Sequence, residues 1–156
     1  MSQYPVSVIN FPAKRLLGMN VRITMQTAAQ DCPALWMRFG PRITELLPAG
    51  SVQESYGVNE MLGADECAYW ATIEAVASLE QAADMASIDL PAGLYAQCTV
   101  SSLEKLMDAY TYLYEVWPTS QNEFTADLQA ASFEKYPPNW QPADAFEIYL
   151  PLQKKV

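Results

Sequence analysis

Between Gly93 and Val100 the chain reads GLYAQCTV, in which Leu94, Ala96, Cys98 and Val100 alternate with Tyr95, Gln97 and Thr99. Such alternation predicts a strand with one apolar face, because successive strand side chains leave on opposite sides. Strand-like runs also fill KRLLGMNVRIT (14–24), SYGVNEM (55–61) and ECAYWATIEAV (66–76). In the last of these, Cys67, Tyr69, Ala71, Ile73 and Ala75 make the apolar row and Trp70, Thr72 and Glu74 the other. Two segments change to a helical period. PALWMRFGPRITELL (33–47) repeats Leu35, Phe39, Ile43 and Leu47 at four-residue steps; Pro33 suits a first turn, and Gly40-Pro41 should kink or split the helix. Later, Ser101 and Glu104 have capping-box spacing ahead of an apolar face of Leu103, Leu106, Met107, Tyr110, Tyr114 and Trp117, and Pro118 ends the run. SFEKY and AFEIYLPL close the chain as strands.

In order, this is strand, helix, strand, strand, performed twice on either side of a polar, Ala-rich connection from Ser78 to Ala92. Corresponding elements are offset by roughly 70 to 80 residues, as in a duplicated unit. We expect one domain over residues 1–156, with repeats at about 6–76 and 93–152. The expected class is α+β: one antiparallel sheet, two main helices on one face, and a ligand cleft on the other. The apolar rows should face the helices. Trp70, Glu74, Tyr95, Glu134, Tyr136, Glu147 and Tyr149 should then share the opposite face, with Phe133 and Phe146 turned towards the helices.

Composition narrows the chemistry. Half of the 156 residues are apolar, enough for a core without disulfides or metal. No apolar run approaches a bilayer span and the N-terminus has no signal-peptide pattern, so a cytoplasmic location is expected. Cys32, Cys67 and Cys98 are odd in number and widely spaced, as reduced core residues are. The absence of histidine removes the usual general base and most zinc or non-haem iron sites. Neither nucleotide-binding glycine motif is present, so we expect no cofactor and no metal. A formal charge of −9 argues against nucleic acid as a direct partner.

Two glutamates stand among aromatic residues: Glu134 between Phe133 and Tyr136, and Glu147 between Phe146 and Tyr149. A face carrying those acids with Trp70, Tyr95, Tyr136 and Tyr149 has the chemistry to hold a lipophilic cation, since rings supply area and cation–π attraction and a poorly hydrated carboxylate gains from a positive partner. The competing reading is an ordinary wet sheet face.

The ordered set FPAKRLLGMNVRIT, LWMRFGPRI, YWATIEAV, LPAGLYAQCTV and FEKY…AFEIYLPL resembles the GyrI-like family, the effector-binding domain also found in AraC-type and MerR-type transcription regulators. The resemblance covers nearly the whole chain. It implies the duplicated fold and binding of bulky aromatic cations around a glutamate in the penultimate strand, which matches Glu134. Glu147 matches a second, less well defined acid of the final strand. It also implies a free-standing sensor, since no residues remain for a helix-turn-helix domain, with a separate transcription regulator as a candidate partner. Two other functions stay open: hydrolysis of electrophilic cyclopropane-bearing compounds by a glutamate and a tyrosine, and an acidic interaction surface such as relatives use to modulate DNA gyrase.

Overall fold

A computed structural model of the protein describes residues 4–24, 26–47, 53–63, 66–74 and 84–155. Its elements run β1 (Val6–Phe11), β2 (Lys14–Ile23), α1 (Ala28–Phe39), α2 (Ile43–Leu46), β3 (Ser55–Met61), β4 (Cys67–Glu74), β5 (Ala86–Leu90), β6 (Gly93–Val100), α3 (Leu106–Thr111), β7 (Phe124–Ala126), β8 (Ser132–Tyr136) and β9 (Phe146–Lys154). The architecture is α+β, and every strand pairing is antiparallel. Strand order is β1-β6-β9-β8-β3-β4-β2-β5, with β7 added to the C-terminal end of β9.

That order is symmetric about the β8/β3 contact. The unit β2-α1-β3-β4 maps onto β6-α3-β8-β9, which is the duplication expected from the pattern. Each unit is also preceded by a strand that pattern reading missed. Strand β1 leads the first unit but pairs with β6 of the second, and β5 leads the second but pairs with β2 of the first. The two halves thus exchange edge strands. The connection read as polar loop contains β5, while its residues 78–83 and the end of the predicted strand 66–76, residues 75–76, lie outside the described residues.

Helix α1 starts five residues before the predicted Pro33, which therefore lies inside it. Proline removes the bond to the carbonyl four residues back; both Ala29 and Pro33 are exposed, so water can satisfy that carbonyl. Gly40 and Pro41 do split the helix, through a 3-10 turn at Gly40–Arg42. The second helical run is continuous from Leu103 to Thr119 but not uniform. Its α-helical part is followed by a π-helical segment, Tyr112–Val116, and no side-chain cap bond forms at its start. The wider π turn rotates the contact surface away from a simple 3.6 period. The buried residues are Ala109, Tyr112, Leu113 and Trp117, whereas Met107, from the expected apolar face, is exposed.

Both helical runs pack on one sheet face. Leu35 and Phe39 meet Leu17, Ile23, Ala71 and Ile73. Ala109, Tyr112 and Leu113 meet Ala96, Cys98, Val100, Phe146, Ile148 and Leu150. Trp36 of α1 packs against both clusters and lies edge-on to Tyr136, ring centroids 5.8 Å apart.

The opposite face is not wet. Phe11, Tyr56, Val58, Trp70, Leu90, Tyr95, Phe133 and Tyr149 form a buried cluster there, with Phe133 stacked on Tyr149 at 4.6 Å and 9°. Trp70, Tyr95, Glu147 and Tyr149 take the face assigned from alternation. Strand β8 does not. Its register sets Phe133 opposite Tyr149 and Glu134 opposite Ile148, so Phe133 turns away from the helices and Glu134 and Tyr136 turn towards them. The expectation rested on sending the charged residue to the solvated face. It fails because the Glu134 carboxylate is supplied with hydrogen-bond donors inside the protein.

Phe133 is fully buried in the second cluster. Phe133→Ala should cost about 3–5 kcal/mol of unfolding free energy in urea denaturation, with little change in the surroundings of Glu134 on the other face.

Candidate functional site

Glu134 sits at the centre of the sheet, in the strand beside the pseudo-two-fold axis, and its residue exposure is 2 %. It pairs across β3 with Gly57. A Cβ at Gly57 would collide with the Tyr69 hydroxyl and lie 2.5 Å from Glu134 Oε1, so the glycine leaves the space in which the carboxylate lies against the sheet.

Four neutral groups donate to the carboxylate. Tyr69 (β4) and Tyr136 (β8) donate their hydroxyls to Oε1 at 2.9 and 3.0 Å. Tyr110, from α3, donates to Oε2 at 2.6 Å, and Asn59 Nδ2, from β3, at 3.1 Å. Behind them Trp36 Nε1 donates to the Tyr69 oxygen at 2.9 Å, Tyr114 tilts against Tyr110 at 6.2 Å, and Trp140 packs on Tyr136 at 4.6 Å. Both halves of the duplication contribute. Trp36, Gly57, Asn59 and Tyr69 come from the first, and Tyr110, Glu134, Tyr136 and Trp140 from the second.

No lysine or arginine among the described residues forms an ion pair with Glu134. Burial therefore pushes its carboxyl pKa above the usual 4.5, and the four donors oppose that shift without cancelling it. Tyr69 and Tyr110 are held well above the ordinary phenol range, first by burial and then by the Glu134 charge. Tyr136 shifts upward for the same reasons. The hydroxyls consequently remain protonated donors. When ionised, Glu134 is a hydrogen-bonded charge beside the rings of Tyr69, Tyr110 and Tyr136, with no lysine or arginine partner among the described residues.

The other residues expected at the site lie across the sheet. Trp70 donates to Glu60 at 3.1 Å, and Tyr95 donates to the Pro91 carbonyl at 2.8 Å. Glu147 accepts from Tyr149 and from Gln97, both at 2.8 Å; Lys135 Nζ is 3.7 Å away and also 3.3 Å from Glu54. That corner borders a shallow groove of about 370 Å³ that does not reach Glu134. Of the six residues expected to form one pocket, the fold joins only Glu134 and Tyr136. Pattern reading missed Trp36, Asn59, Gly57, Tyr69 and Tyr110 as site residues. Alternation and helical period put Tyr69 and Tyr110 on apolar, core-facing rows, and only the lone glycine inside SYGVNEM signals a close approach.

A family model described as Cass2, integron-associated effector binding protein, matches residues 7–152. The chain belongs to this effector-binding family. Cass2 membership bears out the GyrI-like resemblance, and the fold recurs in solved structures. SAV2435 bound to tetraphenylphosphonium has a TM-score of 0.71 at 16% identity, over 97% of this chain and 94% of that one. The EcmrR C-terminal domain has a TM-score of 0.65 at 14% identity, over 99% and 100%. The Vibrio cholerae integron cassette protein VCH_CASS2 has 0.64 at 13%, over 95% of each chain. No curated protein sequence matches. No helix among the described residues is long and apolar enough to cross a membrane.

Two outcomes test the geometry. Gly57→Ala should destabilise the protein by about 1–3 kcal/mol in thermal or urea unfolding, because the Tyr69 hydroxyl and the carboxylate must both give way. A raised folded-state pKa means that Glu134 binds its proton more tightly in the native protein. Its stabilising contribution is thus complete below pH 4.5 and is lost as pH rises through the folded-state value. The stability of Glu134→Gln relative to the parent should therefore climb as pH rises above 4.5; a difference that stayed flat in urea titrations at increasing pH would refute the assignment.

Proposed function

We propose that this protein binds hydrophobic, cationic small molecules, with Glu134 as the charge partner and Trp36, Tyr69, Tyr110, Tyr136 and Trp140 as the apolar and aromatic surroundings. The supporting observation is the buried Glu134 carboxylate, which has four neutral donors and, among the described residues, no cationic partner. A buried charge without a counter-ion is costly for the free protein. An incoming cation that excludes water relieves this cost and gains cation–π attraction from the rings. Membership of an effector-binding family and the structure of SAV2435 with tetraphenylphosphonium support the same reading. The hydrophobic, cationic class of the ligand and the part played by Glu134 are what we add. In this proposal a separate transcription regulator is the partner that reads the bound state.

Trp36 and Trp140 adjoin the site, so tetraphenylphosphonium should change tryptophan fluorescence on titration. Glu134→Gln, close in shape but uncharged, should weaken binding at least about tenfold, the scale of one lost charge interaction. The neutral analogue tetraphenylmethane should bind parent and variant alike. Equal cation affinity in the two proteins would eliminate Glu134 as the charge partner.

A further inference from the structure

The donors around Glu134 bear on which cations the site can take. A carboxylate offers about four acceptor positions on its two oxygens. Here each oxygen already accepts two bonds, Oε1 from Tyr69 and Tyr136 and Oε2 from Tyr110 and Asn59. The neighbouring acceptors are engaged as well. The Tyr69 oxygen accepts from Trp36, and Asn59 Nδ2 also reaches the Tyr110 oxygen at 3.2 Å and Ser132 Oγ at 3.4 Å. Among the described residues no buried side-chain polar atom lacks a partner. The negative charge is uncompensated while its hydrogen-bonding capacity is full.

These two properties separate two classes of cation. A protonated amine carries N–H groups that must find acceptors once removed from water, and each one left unmatched is penalised. A quaternary ammonium or phosphonium has no N–H to satisfy. It needs only the field of the carboxylate and the faces of the rings.

We propose that Tyr110 and Asn59, by filling Oε2, are specificity-determining residues that make the site select cations without hydrogen-bond donors over protonated amines of the same skeleton. This rests on the reading of Glu134 as the charge partner of a cationic ligand. Both residues are well placed for such a task. Tyr110 comes from α3, where the helical hydrogen-bonding changes to the π form two residues later, and Asn59 comes from β3 on the other side of the repeat boundary.

The test uses two probes of equal skeleton at pH 7, (4-phenylbenzyl)trimethylammonium and 4-phenylbenzylammonium, with 4-phenylbenzyl alcohol as the uncharged reference. The parent protein should prefer the trimethyl probe. Part of that preference is intrinsic, because the primary ammonium is the more strongly hydrated, so the deciding quantity is the change in the affinity ratio on mutation. Tyr110→Phe keeps the ring and vacates one acceptor position on Oε2. It should narrow the ratio by about tenfold, the worth of one charge-assisted hydrogen bond. Asn59→Ala, which vacates the other position, should move the ratio the same way and stands in if Tyr110→Phe does not fold. An unchanged ratio in the folded variants would overturn the specificity role while leaving cation binding intact. Cations binding no better than the alcohol to the parent protein would overturn the binding reading, and this inference with it.

Discussion

A carboxylate held without a counter-ion at the centre of the sheet organises this protein. Among the described residues no lysine or arginine pairs with Glu134. Four neutral donors take up its hydrogen bonds without neutralising its charge. Each donor comes from a different place in the chain: Asn59 from β3, Tyr69 from β4, Tyr110 from α3 and Tyr136 from β8. Holding that carboxylate therefore requires the central strands in register and the second helical run seated on them.

The duplicated architecture explains why the site lies where it does. The pseudo-two-fold axis passes between β8 and β3, which brings Gly57 of one repeat opposite Glu134 of the other. Neither repeat contains a complete site. The first supplies the flat backbone at Gly57, the Asn59 donor and the Trp36–Tyr69 pair; the second supplies the acid with Tyr110 and Tyr136. Exchange of β1 and β5 between the halves ties the repeats at both sheet edges as well as at the centre. The sheet face away from the helices is closed by an aromatic core built around the Phe133–Tyr149 stack.

How much of this could be read from residue order is clearest in particular strands. GLYAQCTV and CAYWATIEAV have rows of unequal character, so alternation placed Ala96, Cys98 and Val100, and likewise Tyr69, Ala71 and Ile73, on the helix side. In SFEKY both rows contain aromatic residues. Each row also carries a charge, Glu134 in one and Lys135 in the other, so the rule that charges face water could not separate the rows, and sending Glu134 to the solvated face was the wrong choice. Strands β1 and β5 went unread for another reason: they are short edge strands of six and five residues whose pairing partners are distant in sequence, although ASIDL alternates strictly. The helical faces were only partly legible, because Pro33 is tolerated on an exposed turn and the π segment shifts the surface that Tyr112 and Leu113 bury.

Local periodicity and composition were enough for the α+β class and the repeat of strand, helix, strand and strand, since these follow from spacing along one segment at a time; they marked Glu134 and Glu147 alike, and the family resemblance separated the two. The side of the sheet on which Glu134 lies, and its neighbours there, follow from register with β3 and β9 and from hydroxyls delivered by β4 and α3. The donor contacts that β3, β4 and α3 make to Glu134 join residues 24 to 75 positions apart. Chain order carries no direct record of them, because whether a carboxylate can be buried is settled by the donors that the assembled fold brings to it.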